Sequence, residues 1–317
     1  MFIDSTYFSL KNIIKIILLD TYYNKNINTV HSHKPKQKIL FNNKIRNTTT
    51  LLSYNNYEIK TISHMIYLKK LCSYEYSCIS QNEIKKLTKI IKFICQNNNI
   101  TNINHMKKLK ILYCEHHQNL NQNGIKKITK IINLKCCSNK NIININHFTN
   151  LKKLKCSWDS MLNINSINYL TKLTSLKCCF NSKIFDLNHL TNLKVLHCSS
   201  RRSQIDDNSI KNLKKLTRLE CCNNRQINNI NHLTKLKVLD CSGIDSNMEQ
   251  NSIKKLTRLT KMNCGDNKKI VDVKHLVNLK ILICVGVCGI TTEEIDTLLK
   301  YNNKITIISK SVGWYST

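Results

Sequence analysis

From about residue 45 onward the apolar residues keep a rhythm that no single helix or strand would give. A spacing of three (Ile167, Leu170, Leu173, Leu176) passes into a spacing of two (Leu176, Cys178), and the same change recurs at Ile210, Leu213, Leu216, Leu219 and Cys221. Apolar positions two apart place Leu and Cys on one face of a short strand. The spacing of three before it suits a 3₁₀ or short helical return segment. Aligned on Cys95, Cys114, Cys136, Cys156, Cys178, Cys198, Cys221, Cys241, Cys264 and Cys284, the units are 19 to 23 residues long. A longer form, I-x-x-L-x-x-L-x-x-L-x-C-x-x-N, alternates with a shorter one, I-x-x-I-x-H-L-x-x-L-x-x-L-x-C, seen in Ile227, Ile230, His232, Leu233, Leu236, Leu239 and Cys241. One unit cannot bury its own apolar face, whereas stacked units bury a continuous one.

In this pattern the chain resembles the leucine-rich repeat family, in its 22-residue internalin-like and intracellular classes, with Cys replacing the third Leu of L-x-x-L-x-L-x-x-N. The resemblance spans roughly residues 45 to 308. It implies a curved α/β solenoid, with a parallel sheet on the concave face and 3₁₀ or short helical segments on the convex face. Ser53 and Ser73 fit the cysteine column, so twelve strand positions are expected in a sheet of about 55 Å. Ile295, Leu298, Tyr301, Ile305 and Ile307 read as a last, atypical unit closing the stack.

Residues 1 to 45 do not share the period. Leu10, Ile13, Ile14, Ile17 and Leu18 mark an amphipathic helix within residues 1–22, which either caps the first repeat or docks on a partner or membrane surface. Residues 23–45, with Pro35 among Lys34, Lys36, Lys38 and Lys44, read as a basic linker; 46–308 is the solenoid with its C-terminal cap, and 309–317 a tail.

Composition qualifies the charge. Fifty Lys plus Arg against nineteen Asp plus Glu give +31, yet 41% of residues are hydrophobic, which excludes a disordered polycation. Roughly one residue in seven is Asn, Ala is absent, Pro occurs once and Gly six times. That skew follows A+T-rich codons, so part of the basicity is a property of the genome. It also excludes a Gly-rich phosphate cradle. The stretch Ile13–Leu19, broken by Lys15, is too short to span a bilayer and lacks a small-residue cleavage site. The sixteen cysteines are therefore expected to be reduced thiols in a cytoplasmic protein.

Several residue columns invite chemistry. The ten-cysteine column reads as core filling. In the doublets, Cys137, Cys179 and Cys222 turn to the opposite face as candidate surface thiols, too far apart to share a zinc ion. Cys284 and Cys288 are a weak metal signal. His64, His105, His147, His189, His232 and His275 recur every two units, roughly 10 Å apart, which suits a structural role at the turn that each one opens. His116 and His117 diverge if they lie on a strand. No G-x-S-x-G, H-E-x-x-H or P-loop is present, so neither an enzyme nor a cofactor is expected.

The concave face remains. Its central row reads Ile94, Tyr113, Lys135, Lys155, Lys177, His197, Glu220, Asp240, Asn263 and Ile283, a basic patch followed by an acidic one. Ile111, Val195, Val238 and Ile281 form an apolar flanking row. Charge around small apolar contacts is the make-up of a protein-binding surface; a merely solvated, Lys-rich face is the alternative. Trp158 is either an anchor for a partner or packs on the next turn. The expected function is a non-catalytic protein-interaction scaffold, with nucleic-acid binding through the lysines as the alternative. The skewed composition and near-identical tandem units also resemble leucine-rich repeat gene families of large cytoplasmic DNA viruses, although parasites and amoebae with similar genomes would look the same. That resemblance implies a host-directed role in an infected cytoplasm.

Overall fold

The computed structural model describes residues 29–32, 49–53, 59–74, 77–96, 99–117, 119–301 and 304–309. Fourteen short strands, β1 (Thr29–Ser32) to β14 (Thr306–Ile308), form one parallel sheet in strict sequence order. Each strand pairs only with the units before and after it, so the sheet stays open and the chain is a curved α/β solenoid. The twelve expected strand positions all appear in register, as in Leu134↔Leu154↔Leu176↔Leu196. At about 4.8 Å per strand the sheet extends roughly 60 Å.

The three-residue strands from Ile111–Tyr113 to Ile281–Ile283 turn their central Leu or Met inward, as Lys92–Cys95 does its Phe93, and the ladder cysteine follows into the same apolar layer. Cys fills this space as a small apolar residue and adds a weak donor. The thiols of Cys114, Cys178 and Cys241 lie 3.6 Å from the carbonyls of Lys135, His197 and Asn263 in the next unit. Two residues after the cysteine the backbone turns left-handed at His116, Ser138, Trp158, Phe180, Asn223 and Asp266, and at Gly243 and Gly286. The amides of Trp158 and Asn223 there donate to Cys179 and Ser242, which extends the ladder past the strand.

Asparagine is structural in two columns. Asn139, Asn181, Asn224 and Asn267, buried three residues after the cysteine, each bridge two turns. Asn139 Oδ1 accepts the amides of Asn141 and Ile142, and its Nδ2 donates to the carbonyls of Leu120 and Cys114 in the preceding unit. His117 takes this place in one short unit, where Nδ1 accepts the amides of Asn119 and Leu120. It is therefore a turn residue, and no strand contains the His116–His117 pair. The second column precedes the recurring histidines. Asn104, Asn146, Asn188 and Asn231 donate forward to the carbonyls of Asn123, Asn165, Asn208 and Asn251. His105, His189, His232 and His275 reach back through Nε2 to Ile84, Ile167, Ile210 and Ile253. The pairs Asn104–His105, Asn188–His189 and Asn231–His232 thus tie their units to both neighbours, the structural role that the histidine spacing suggests, whereas Nε2 of His64 and of His147 is buried without a hydrogen-bond partner among the described residues. Burial holds His105 and His147 below the usual histidine range and so favours the neutral ring.

Two features depart from expectation. Thr29–Ser32, inside the stretch read as a basic linker, forms a strand in register with Thr50–Ser53. The C-terminal unit replaces the short return turn with a ten-residue helix, Thr292–Tyr301, whose Leu298 is buried before β14 closes the sheet. The helix expected within residues 1–22, Pro35 with its lysines, and residues 310–317 lie outside the described residues.

Candidate functional site

The residues expected on the concave face do form one continuous row. Tyr113, Lys135, Lys155, Lys177, His197, Glu220 and Asp240 are consecutive partners across seven strands. Alternation forces this: the Leu before each one points into the core, so the next side chain points out.

The electrostatics are more finely divided than a basic block beside an acidic block. Lys155 Nζ lies 2.8 Å from Glu115 Oε1, a residue supplied by the row just beyond the cysteines. Burial works against both charges, yet the shared hydrogen bond holds the Glu115 carboxyl below and the Lys155 ammonium above their usual ranges. Lys135 Nζ sits 4.2 Å above the Tyr113 ring, a cation–π contact. Among the described residues, Lys177 alone of the three lysines has neither an ion pair nor a ring contact. The acidic half carries its own cations: Glu220 binds His197 through Nδ1 and Arg218 through its guanidinium. Burial alone would push the Glu220 carboxyl up; the His197 and Arg218 hydrogen bonds outweigh it and hold the group at about 2. Asp240 accepts from Ser242 and from Asn263 Nδ2. The row is thus a set of pre-oriented charges, spaced by the half-buried Ile111, Val195, Val238 and Ile281.

The second thiols of the doublets are not reactive groups. Cys137 is buried and its thiol is pushed up to about 11 by burial, and burial likewise raises the half-buried Cys179 and Cys222. A thiol with a raised pKa is a poor nucleophile at neutral pH. The ladder thiols from Cys114 to Cys284 are raised by burial too, as is Cys72, and all sixteen cysteines are free. Cys288 donates to the carbonyls of Cys284 and Ile290, so that pair is committed to a turn.

Trp158 packs on the next turn, one of the two readings expected for it, but at the surface and not in the core. It stands at the rim, 55% exposed, with its ring stacked on Phe180 of the following unit at 4.4 Å between centroids and 10° between planes. Phe180, Glu115 and Arg218 were not singled out from the sequence. Counting two residues past each cysteine would have found Phe180, because it shares that column with Trp158.

Compared as a sequence, the chain matches no protein-family model and no curated protein. Compared as a structure, it is similar to an internalin (InlF) from Listeria monocytogenes, with a TM-score of 0.63 and 21% identity over 85% of this chain and 84% of that one. It is also similar to the functional domain of InlJ from Listeria monocytogenes, which includes a cysteine ladder (TM-score 0.54, 20% identity, 83% of this chain and 68% of that one). A leucine-rich repeat protein of Leptospira interrogans gives 0.61 and 20% over 83% of this chain and 73% of that one. The chain has the leucine-rich repeat fold: an open parallel sheet, one short strand per unit, and buried ladders between units. Among the described residues no helix is long and apolar enough to cross a membrane.

Proposed function

We propose that this solenoid is a non-catalytic scaffold that binds a protein partner along its concave face. The observation that carries the reading is the unbroken row Tyr113–Asp240, in which nearly every charge is already held by a neighbour of its own chain. Side chains ordered before binding lose less entropy on association, and a basic stretch followed by an acidic one selects a partner with the complementary pattern. The half-buried aliphatic row beside it supplies apolar contact area. A uniformly solvated lysine face would show none of this pairing.

Free thiols throughout and pKa values raised by burial support residence in a reducing compartment such as the cytoplasm. A host-directed viral role has the A+T-skewed composition and the tandem near-identity as its support. The nucleic-acid alternative, spread over the lysine-rich surface, has the +31 charge in its favour.

The experiment is affinity capture with three full-length baits: wild type, Lys177→Glu, and Lys126→Glu with Lys127→Glu on a return segment. Proteins held by wild type and by the return-segment variant but lost from Lys177→Glu are the expected result. An identical partner list for all three would overturn concave-face binding.

A further inference from the structure

We infer that the Trp158–Phe180 stack is the floor of a second site, off the concave face, that takes an unpaired base of a single-stranded nucleic acid together with its phosphate. Three observations converge on it. The first is backbone conformation. Trp158 and Phe180 have φ of +63° and +61°, a region that bulky residues rarely enter. The conformation recurs in most units two residues after the cysteine, though not at Ser200; elsewhere the column holds Ser138, Asn223, Asp266, Gly243 and Gly286, small or turn-forming residues that tolerate it, and the imidazole of His116. The two rings gain their contact with each other but fill no part of the core: Trp158 is 55% and Phe180 47% exposed. Strain retained at two exposed rings points to a functional position.

The second observation is the cleft beside the stack, about 430 Å³, lined by Trp158, Phe180, Ser200, Arg201, Arg202 and Asn223 among others. That volume lies within the range of pockets that enclose small ligands. Its lining offers both serine hydroxyls and an amide, which can hydrogen-bond a base edge, and guanidinium groups. The third is residue choice. Of the fifty cationic residues only six are arginine (Arg46, Arg201, Arg202, Arg218, Arg225 and Arg258); two of them, Arg201 and Arg202, line the cleft, and Arg225 is joined to Arg201 through Asp245. Asp245 binds both Arg201 and Arg225, which holds their planes, whereas Arg202 has no ion pair among the described residues. Arginine forks match phosphate oxygens, as lysine point charges do not. One acid in the cleft, Asp159, is 4.0 Å from Lys140.

A peptide side chain is the less favoured occupant. An aromatic side chain could stack there but brings no phosphate for the arginine forks, whereas a nucleotide supplies both a flat base for the stack and the anion.

The test uses the full chain, a fluorescently labelled 12-nucleotide oligouridine at 150 mM salt, anisotropy for affinity, and tryptophan emission for stacking. Wild type is expected to bind with quenching of Trp158. Phe180→Asn, which leaves net charge unchanged and suits the backbone, should weaken binding about 10-fold. Trp158→Phe should keep most of the affinity and lose the quenching, and Arg202→Glu should weaken binding. A duplex of the same length should not quench. The inference is overturned if Phe180→Asn binds as tightly as wild type, since the general positive charge then accounts for binding. It is also overturned if uridine monophosphate matches the oligomer, or if an Asp/Glu peptide with one tyrosine binds in a Phe180-dependent way while the oligomer does not. The Lys177→Glu variant should leave the quenching intact, so failure here and failure of concave-face protein binding remain separate results.

Discussion

Replacing Asn139 with leucine tests the buried asparagine column directly. Leucine keeps the branched outline of asparagine with somewhat greater bulk and the site is fully buried, so the change removes hydrogen bonds without opening a cavity. It strands the amides of Asn141 and Ile142 and the carbonyls of Leu120 and Cys114, all bonded to Asn139 at 2.9 to 3.5 Å. An unsatisfied buried backbone group costs about 1–3 kcal/mol, so the gross loss is about 4 kcal/mol or more. A buried leucine returns up to about 2 kcal/mol of transfer free energy. The net expectation is a loss of about 3 kcal/mol, read as a fall in the urea midpoint of roughly 1 M. Asn144→Ala, at an exposed position, is the control and should stay within about 0.5 kcal/mol of wild type. An Asn139→Leu protein that unfolds with the control would refute the claim that this column holds successive units together.

The acid limb of stability should report on Glu220. Its carboxyl is held at about 2 against an ordinary 4.5, so its contribution is complete above pH 4.5 and is lost as pH falls towards 2. Allowing for partial exposure, about 1–3 kcal/mol is at stake, and urea midpoints for Glu220→Gln should be flatter between pH 5 and pH 3 than those of wild type. A parallel decline in both proteins would contradict the Arg218–Glu220–His197 cluster. Phe180→Asn should raise stability by up to about 1 kcal/mol, because Asn accepts the left-handed turn that Phe resists; thermal melting gives the sign, and a lower melting temperature would mean that the stack stabilises the fold after all. Gly124→Ala should cost about 2 kcal/mol or more, since a Cβ there would lie 2.1 Å from the Thr101 carbonyl oxygen. Equal urea midpoints for the two would show that the turns of neighbouring units are less tightly apposed.

What the sequence revealed follows from which interactions are periodic. Leucines, ladder cysteines and the Asn-His pairs recur because each unit repeats the same contact with its neighbours, so the sheet register and the concave row could be read before any coordinates. Asparagine shows the limit of composition. Its abundance reads as codon bias, yet two of its columns carry bonds between units. The pairings that make the face chemical are not periodic: Glu115 reaches Lys155 forty residues away, and Asp245 gathers Arg201 and Arg225, in three-dimensional contacts of single units. The strand at Thr29–Ser32 escapes a pattern search because it carries neither the leucine spacing nor a cysteine. Phe180 was visible only as the second residue after a cysteine, a position defined by a backbone angle and not by hydropathy.

The central claim is that the units pile up with their thiols sealed between the sheet and the return segments. Site-resolved pulse alkylation of the native chain at pH 8, read by mass spectrometry, tests it most directly. The ten ladder cysteines from Cys95 to Cys284 should remain unmodified until urea unfolds the solenoid, and then react together. Ladder thiols that react in native buffer as fast as in urea would contradict the stacked fold.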